Sequence, residues 1–278
     1  MSVIELTLII LIGSYFAGLL GSLTGLGGGF IIIPLLTLLL HVDIHYAIGA
    51  SLVSVIATSS GSAAAYVKEG ITNMRLGMFL EIATTAGAFA GAILAIYTPT
   101  HYIAILFGLI LILSAIMSLR KKTQQITNHK SYLAQKLKLN SSYPTADGMV
   151  EYGVNNVTGG FFMMLFAGVI SGLLGIGSGA LKVVAMDNIM RIPFKVSTTT
   201  SNFMIGVTAA ASAVVYLQRG YIDPALSMPI VIGVLLGALT GSKILVQSTS
   251  SKWIRVMFSV IVSILAVQMI YNGVMGKI

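Results

Sequence analysis

Two glycine-rich stretches, TGLGGG (24–29) and GIGSG (175–179), interrupt long hydrophobic runs, and a lysine follows the second at position 182. Glycine is a poor residue for a helix interior, so both stretches mark helix breaks. A break within hydrocarbon strands backbone N–H and C=O groups, which survive only where protein or a water-filled cavity receives them. The helix that restarts after the break offers free N–H groups and the positive end of its dipole, which together attract anions. Gly27, Gly28, Gly29, Gly177 and Gly179 allow a ligand close to the backbone, with Ser178 standing among them. Lys182 lies one turn into the restarted helix, where the dipole disfavours a cation unless an anion shares the site. Ser51, Thr198, Ser201 and Asn202 supply neutral hydrogen-bond donors, and the last three are spaced to share one helix face. Glu81 reads as a carrier of a coupling proton or as the partner of a cation. The competing readings are helix packing for the glycines, interhelical hydrogen bonding for the hydroxyls, and snorkelling for Lys182. Lys243, nearer a helix end, reads as a snorkelling residue.

The elements that must position these groups are transmembrane helices. Only 9% of the 278 residues are charged while 56% are hydrophobic, against about 25% charged in an ordinary soluble domain. Apolar segments fall at 6–23, 28–40, 47–66, 76–97, 102–119, 153–174, 179–189, 196–217, 225–246 and 254–273. The N-terminus lacks the basic region of a cleavable signal and carries Glu5 there. Tyr46, Tyr66, Tyr97, Tyr102, Tyr216, Tyr221 and Trp253 lie at segment ends, as an interfacial aromatic belt would. The polar stretch 120–153 reads as a solvated linker.

Sliding the chain by 150 residues superimposes AGLLGSLTGLGGG (17–29) on AGVISGLLGIGSG (167–179) without a gap. The same register places Ser51 on Ser201, Thr58 on Thr208, Tyr66 on Tyr216 and GAFAG (87–91) on GALTG (237–241). The GxxxG pairs read as packing motifs. Charge fixes the orientation of the two copies. Arg120, Lys121, Lys122, Lys130, Lys136 and Lys138 assign the linker to the cytoplasm. Loop 41–46 carries no Lys or Arg, whereas its counterpart holds Arg191 and Lys195; loop 67–75 is basic, whereas its counterpart keeps only Arg219 with Asp223. Equivalent loops of opposite bias predict inverted repeats, which need an odd number of crossings per half. The run 6–40 would be about 50 Å as one helix against about 30 Å of hydrocarbon. It therefore folds back at the glycines, as two crossing helices or, as we favour, a tight hairpin with at least one short arm. The expected fold is an all-α polytopic membrane protein of 8–10 membrane segments. Each inverted repeat is a glycine-broken hairpin followed by three transmembrane helices, with 1–119 and 153–278 as the halves and 120–152 as a cytoplasmic linker.

Other chemistries fail on the residues. GxGxxG from Gly25 would need a glycine where Phe30 stands, and no GK[ST] follows. The chain has no cysteine, which removes thiolate metal sites and cysteine nucleophiles. His41, His45, His101 and His129 lie in or beside loops, so Ser178 has no buried base. The net charge of +8 sits between apolar segments, where it suits anionic headgroups rather than nucleic acid. No enzyme, metal or cofactor is expected. The partners expected are a small anion and the lipid bilayer, with a proton as coupling ion and a homo-oligomer left open.

AGLLGSLTGLGGGFIIIPLL (17–36), its weaker echo AGVISGLLGIGSGALKV (167–183) and the central hydrophilic loop resemble the sulfite exporter TauE/SafE family over nearly the whole chain. The resemblance implies a prokaryotic inner-membrane carrier of sulfite, a sulfonate such as sulfoacetate, or another small anion. It carries over to Gly25, Gly27, Gly28 and Gly29, and to Gly175, Gly177 and Gly179. The second motif departs from the first at Ser178 and at Val184, which stands where the first has Pro34. The reading is a secondary carrier working by alternating access. The alternatives are an anion channel of the same architecture, a carrier of a non-sulfur organic anion, and a membrane-embedded enzyme or assembly factor.

Overall fold

The computed structural model describes residues 3–24, 27–119, 131–145, 148–247 and 252–278. Helix α1 (Val3–Thr24) is followed, across the first glycine stretch, by the short α2 (Gly29–Pro34), which ends in a π-helical turn at Leu35–Leu39. Three long helices follow: α3 (Ile44–Lys68), α4 (Met74–Tyr97) and α5 (Thr100–Leu119). After the linker the order recurs as α7 (Val157–Leu174), short α8 (Gly179–Val184) with a π-helical turn at Ala185–Ile189, α9 (Phe194–Gln218), α10 (Pro224–Gln247) and α11 (Lys252–Val274). Seven of these helices are long and apolar enough to cross a membrane, and Gly29–Leu39 and Ser259–Val274 are shorter apolar segments. Large apolar side chains face outward at helical spacing, including Leu8, Ile12 and Phe16 on α1 and Leu109, Leu113 and Ile116 on α5. An apolar exterior of this kind belongs against lipid. The protein is an all-α polytopic membrane protein apart from one small hairpin.

The segment from Gly29 to Leu39 spans about 16 Å at helical rise, roughly half the hydrocarbon thickness. It is the short arm that the length of the segment called for. Both short helices pass into a π turn, although only the first has a proline there (Pro34 against Val184). The turn therefore does not depend on proline.

The 150-residue offset recurs in the packing. Helix α1 lies along α10 and α7 along α4; α3 packs on α9 and α10, and α9 on α3 and α4; α5 pairs with α11. Exchanging each helix for its counterpart reproduces this set of contacts. The GxxxG glycines make the close approaches. A methyl at Gly237 would overlap the Tyr15 carbonyl and one at Gly87 the Leu165 carbonyl, while Gly91 meets Val169 as Gly241 meets Leu19. Small residues at such crossings let backbones touch, which is the main source of helix association where lipid removes the hydrophobic drive.

Tyr66 and Tyr216 correct the aromatic-belt expectation. Both are fully buried, and their hydroxyls donate to the carbonyls of Ser22 (3.1 Å) and Gly172 (3.4 Å), again 150 residues apart. They tie the ends of α3 and α9 to the ends of α1 and α7 near the glycine breaks. Tyr46, Tyr97 and Tyr102 are exposed as expected; the side chain of Trp253 lies outside the described residues. At one end of the bundle His45 stacks on Tyr221, with ring centres 5.0 Å apart. At the other the Asn73 N–H donates to Thr200 Oγ1 at 3.1 Å.

The linker departs from expectation. Its described part is folded, with α6 (Tyr132–Lys136) followed by an antiparallel hairpin of β1 (Ser141–Thr145) and β2 (Gly148–Tyr152). Leu139, Tyr143 and Tyr152 are buried in one cluster with Leu76 and Leu80 of α4, Met164 of α7, Met186, Met190 and Met204. Asn73 caps α4 by accepting the Leu76 N–H. Its amide also donates to the Leu139 carbonyl and the Tyr152 hydroxyl, each at 2.9 Å. A polar sequence thus docks because its few apolar residues alternate onto one face.

Candidate functional site

The two glycine breaks meet. A Cβ placed on Gly29 would stand 3.2 Å from the Gly175 carbonyl oxygen, and one on Gly27 would stand 3.6 Å from that of Ile176. Ser51 reaches across and donates to the Gly175 carbonyl at 2.8 Å, and Ser201 donates to the Gly179 carbonyl at 3.2 Å. The hydroxyls expected to hold a ligand thus have their protons engaged on the break carbonyls, which they keep in position. Val55 and Ile205, counterparts by the 150-residue offset, close over Gly27 and Gly177. Gly25 lies outside the described residues.

The breaks differ in backbone. Gly27 and Gly177 are both left-handed, with φ +83° and +71°. Gly28 is right-handed at φ −71°, whereas its counterpart Ser178 is left-handed at φ +49°. A non-glycine residue there carries about 1–2 kcal/mol of strain. The departure at Ser178 therefore changes the geometry of the second break.

Around the second break stand buried donors with no protein partner. Ser178 Oγ, Thr198 Oγ1 and Asn202 Nδ2 make no hydrogen bond to the protein. Three residues beyond Gly179, Lys182 is wholly buried (0% exposed). Its ammonium donates to Thr208 Oγ1, and that hydroxyl donates in turn to Glu81 Oε1. Glu81 Oε2 lies 3.7 Å from Lys182 Nζ and accepts no hydrogen bond. Thr85 donates to Oε1 at 3.2 Å from the next turn of α4. Glu81 (7% exposed) and Lys182 are the charged side chains buried among the described residues. Ion pairs out of water are costly, and inside a membrane they mark function more often than structure. Lys243, by contrast, is exposed.

Thr208 is the residue that sequence reasoning missed. The repeat register had aligned it with Thr58, but only the packing of α4 on α9 brings it between a lysine and a glutamate about a hundred residues apart. The counterparts of Lys182, Thr208 and Glu81 are Ile32, Thr58 and Val231. The charged constellation is built once on a scaffold built twice.

A second polar feature, a cavity of about 450 Å³, opens at the linker-side end and is lined by Asn155, Asn156, Asn188, Ile189 and Arg191.

Comparison with known proteins supplies the class. The chain is 28% identical over 236 residues to the probable membrane transporter protein YdhB of Bacillus subtilis, covering 85% of this chain and 89% of that one. It is 27% identical over 275 residues to the probable membrane transporter protein YunE of the same organism, covering 96% and 98%. It is 25% identical over 280 residues to the probable membrane transporter protein MJ0441 of Methanocaldococcus jannaschii, covering 95% of each. No solved structure matches the chain. A multi-pass helical bundle with full-length transporter relatives is a membrane transporter and not an enzyme. The family model for the sulfite exporter TauE/SafE matches residues 10–269, and the chain belongs to that family.

Proposed function

We propose that the protein is a secondary carrier that moves a small sulfur-containing anion, of the sulfite, sulfonate or sulfoacetate type, across the inner membrane by alternating access. The observation that carries this reading is the meeting of two glycine breaks beside a buried lysine and three buried donors without partners. The anion lies against the backbone of Gly27, Gly28, Gly29, Gly177 and Gly179. Lys182 supplies charge, and Ser178, Thr198 and Asn202 supply hydrogen bonds. Ser51 and Ser201 line the site and hold the breaks in register, and Val55 and Ile205 close it. Residues 1–119 and 153–278 act as inverted repeats joined by a cytoplasmic linker at 120–152. The contact of loop 41–46 with Tyr221 and of Asn73 with Thr200 supports that orientation. With no nucleotide-binding motif in the sequence, an ion gradient drives the cycle, and Glu81 is the proton site.

Proteoliposomes containing the full chain test the reading. Uptake of sulfite or methanesulfonate is expected to saturate and to accelerate when the same anion is loaded inside. Flux that rises linearly with concentration and shows no exchange would make the protein a channel. Absence of flux for these anions and for acetate would remove the anion-carrier reading. Labelling of single cysteines introduced at 41–46 and 190–196 should occur from opposite sides, and labelling from one side would overturn the inversion.

A further inference from the structure

The Lys182–Thr208–Glu81 constellation has an internal charge balance that constrains what the site can carry. In the arrangement seen, an ammonium and a carboxylate neutralise one another through the Thr208 hydroxyl. The pair is loose, with 3.7 Å between Nζ and Oε2 and no hydrogen bond on that oxygen. Thr208 accepts from the lysine, and its single proton serves Oε1 or the Met204 carbonyl, not Oε2. A proton arriving at the carboxylate therefore has one free acceptor, Oε2. The first half holds Ile32, Thr58 and Val231 at the matching positions, so no second pair duplicates this chemistry.

Among the described residues, no other charged side chain is buried with the pair. Helix α7, which packs along α4, carries no titratable side chain. On α9 the titratable residues are Lys195 in the first turn and Tyr216 in the last, about 20 Å and about 12 Å along the helix from Thr208. On α4 the exposed Arg75 is about 9 Å along from Glu81, and its guanidinium donates to the Lys138 carbonyl. On the α8 segment, Asp187 lies beyond Lys182 in the π turn. Glu81 and Lys182 answer electrically to each other.

We propose that the Glu81 carboxylate and the transported anion compete for Lys182, so that one proton enters on Glu81 Oε2 with each anion and the cargo is a monoanion. This rests on the carrier reading given above. Two states of the site are neutral: ionised Glu81 with Lys182 alone, and protonated Glu81 with Lys182 and a bound monoanion. The mixed states leave a net charge in a buried site, a protonated glutamate without cargo at +1 and an ionised glutamate with cargo at −1. Both are disfavoured for the reason any unpaired buried charge is. Coupling follows because the proton and the anion each stabilise the state the other needs. A dianion would leave −1 even with Glu81 protonated, so within the class proposed above bisulfite or a monosulfonate suits the site, and sulfate or doubly ionised sulfoacetate does not.

Binding of methanesulfonate to the purified full chain tests this, because that anion keeps a single charge across the range used. In the wild type, the Kd is expected to rise about tenfold per pH unit once Glu81 loses its proton, the slope for one linked proton. In weak buffer, about one proton should be taken up per anion bound. In Glu81→Gln, a permanent mimic of the protonated carboxyl, the Kd should vary less than about threefold between about pH 5 and 8. A wild-type Kd independent of pH with no proton uptake overturns the proposal, as does a Glu81→Gln variant that keeps the wild-type slope. Should that variant fail to fold, proton uptake by the wild type decides alone. Sulfate binding in place of methanesulfonate would overturn the monoanion claim while leaving the carrier standing. Failure of methanesulfonate, sulfite, sulfate and acetate alike would remove the carrier reading and this proposal with it.

Discussion

Gly18 of α1 and Val234 of α10 meet backbone to backbone: a methyl on Gly18 would overlap the Val234 carbonyl oxygen. Gly168 stands in the same relation to Thr84, 150 residues away from each partner. Gly18→Leu and Gly168→Leu should each destabilise the protein by more than about 3 kcal/mol, because the clash is with main chain that has nowhere to move. Thermal unfolding in detergent reads both, and the two variants should fall together. Gly61→Ala is the control; its added methyl lies 3.5 Å from Ala238 Cβ, an ordinary contact.

Tyr66→Phe and Tyr216→Phe remove the hydroxyls that hold the Ser22 and Gly172 carbonyls. Each should lower stability by about 1 kcal/mol, the ordinary net worth of one buried hydrogen bond. Tyr216→Phe should cost less, since its bond is the longer at 3.4 Å. Thermal unfolding of the two variants side by side checks the order.

Ser178 separates strain from chemistry. Ser178→Gly relieves the left-handed backbone and should stabilise the protein by about 1 kcal/mol. It also removes the unpartnered hydroxyl, so the thermal shift given by added sulfite should shrink. Ser178→Ala keeps the strain and loses the hydroxyl; it should lose the ligand shift without gaining stability. Equal ligand shifts in all three proteins would take Ser178 out of the site.

The docked hairpin has its own pH limit. Burial holds the Tyr152 hydroxyl protonated and pushes its pKa up to about 12, against the smaller lowering by the hydrogen bond from Asn73. A tyrosine released from the helices ionises near pH 10. Docking is therefore unaffected by Tyr152 at lower pH. Above about pH 10 the released form is favoured progressively, up to about 2–3 kcal/mol by pH 12. Protease cleavage of the linker should accelerate over that interval in the wild type. The rise should be absent in Tyr152→Phe.

The parts of this protein that repeat were legible in its sequence, and the parts that occur once were not. The glycine breaks, the short arms and the GxxxG crossings each appear twice in one register, and duplication lifts them above the noise of a low-complexity apolar chain. Lys182 announced itself as a charge in hydrocarbon, and so did Glu81. Their union did not, because nothing local says that α4 lies against α9, or that Thr208 faces the gap between them. Ser51 and Ser201 have the chemistry of ligand donors, but only the fold reveals that Gly175 and Gly179 have claimed their protons. The hairpin was hidden by composition. Ser141 to Tyr152 counts as polar overall, although Tyr143, Val150 and Tyr152 alternate around an Asp147–Gly148 pair, a recognised hairpin signal.

The pairing of Gly18 with Val234 also sets a timetable for biogenesis. The surface on which α1 rests is translated more than two hundred residues after α1 itself, and a ribosome at about 5–20 residues per second takes on the order of ten seconds or more to produce it. Throughout that delay, α1 waits in the bilayer with its glycine face uncovered. Because every extensive helix pairing except the neighbouring contacts within the hairpins crosses the linker, the first five helices have no finished structure to adopt until the last arrive. The nascent chain is thus at its most vulnerable during the second half of its own synthesis, and whatever shields small-residue helix faces in the membrane acts on it then.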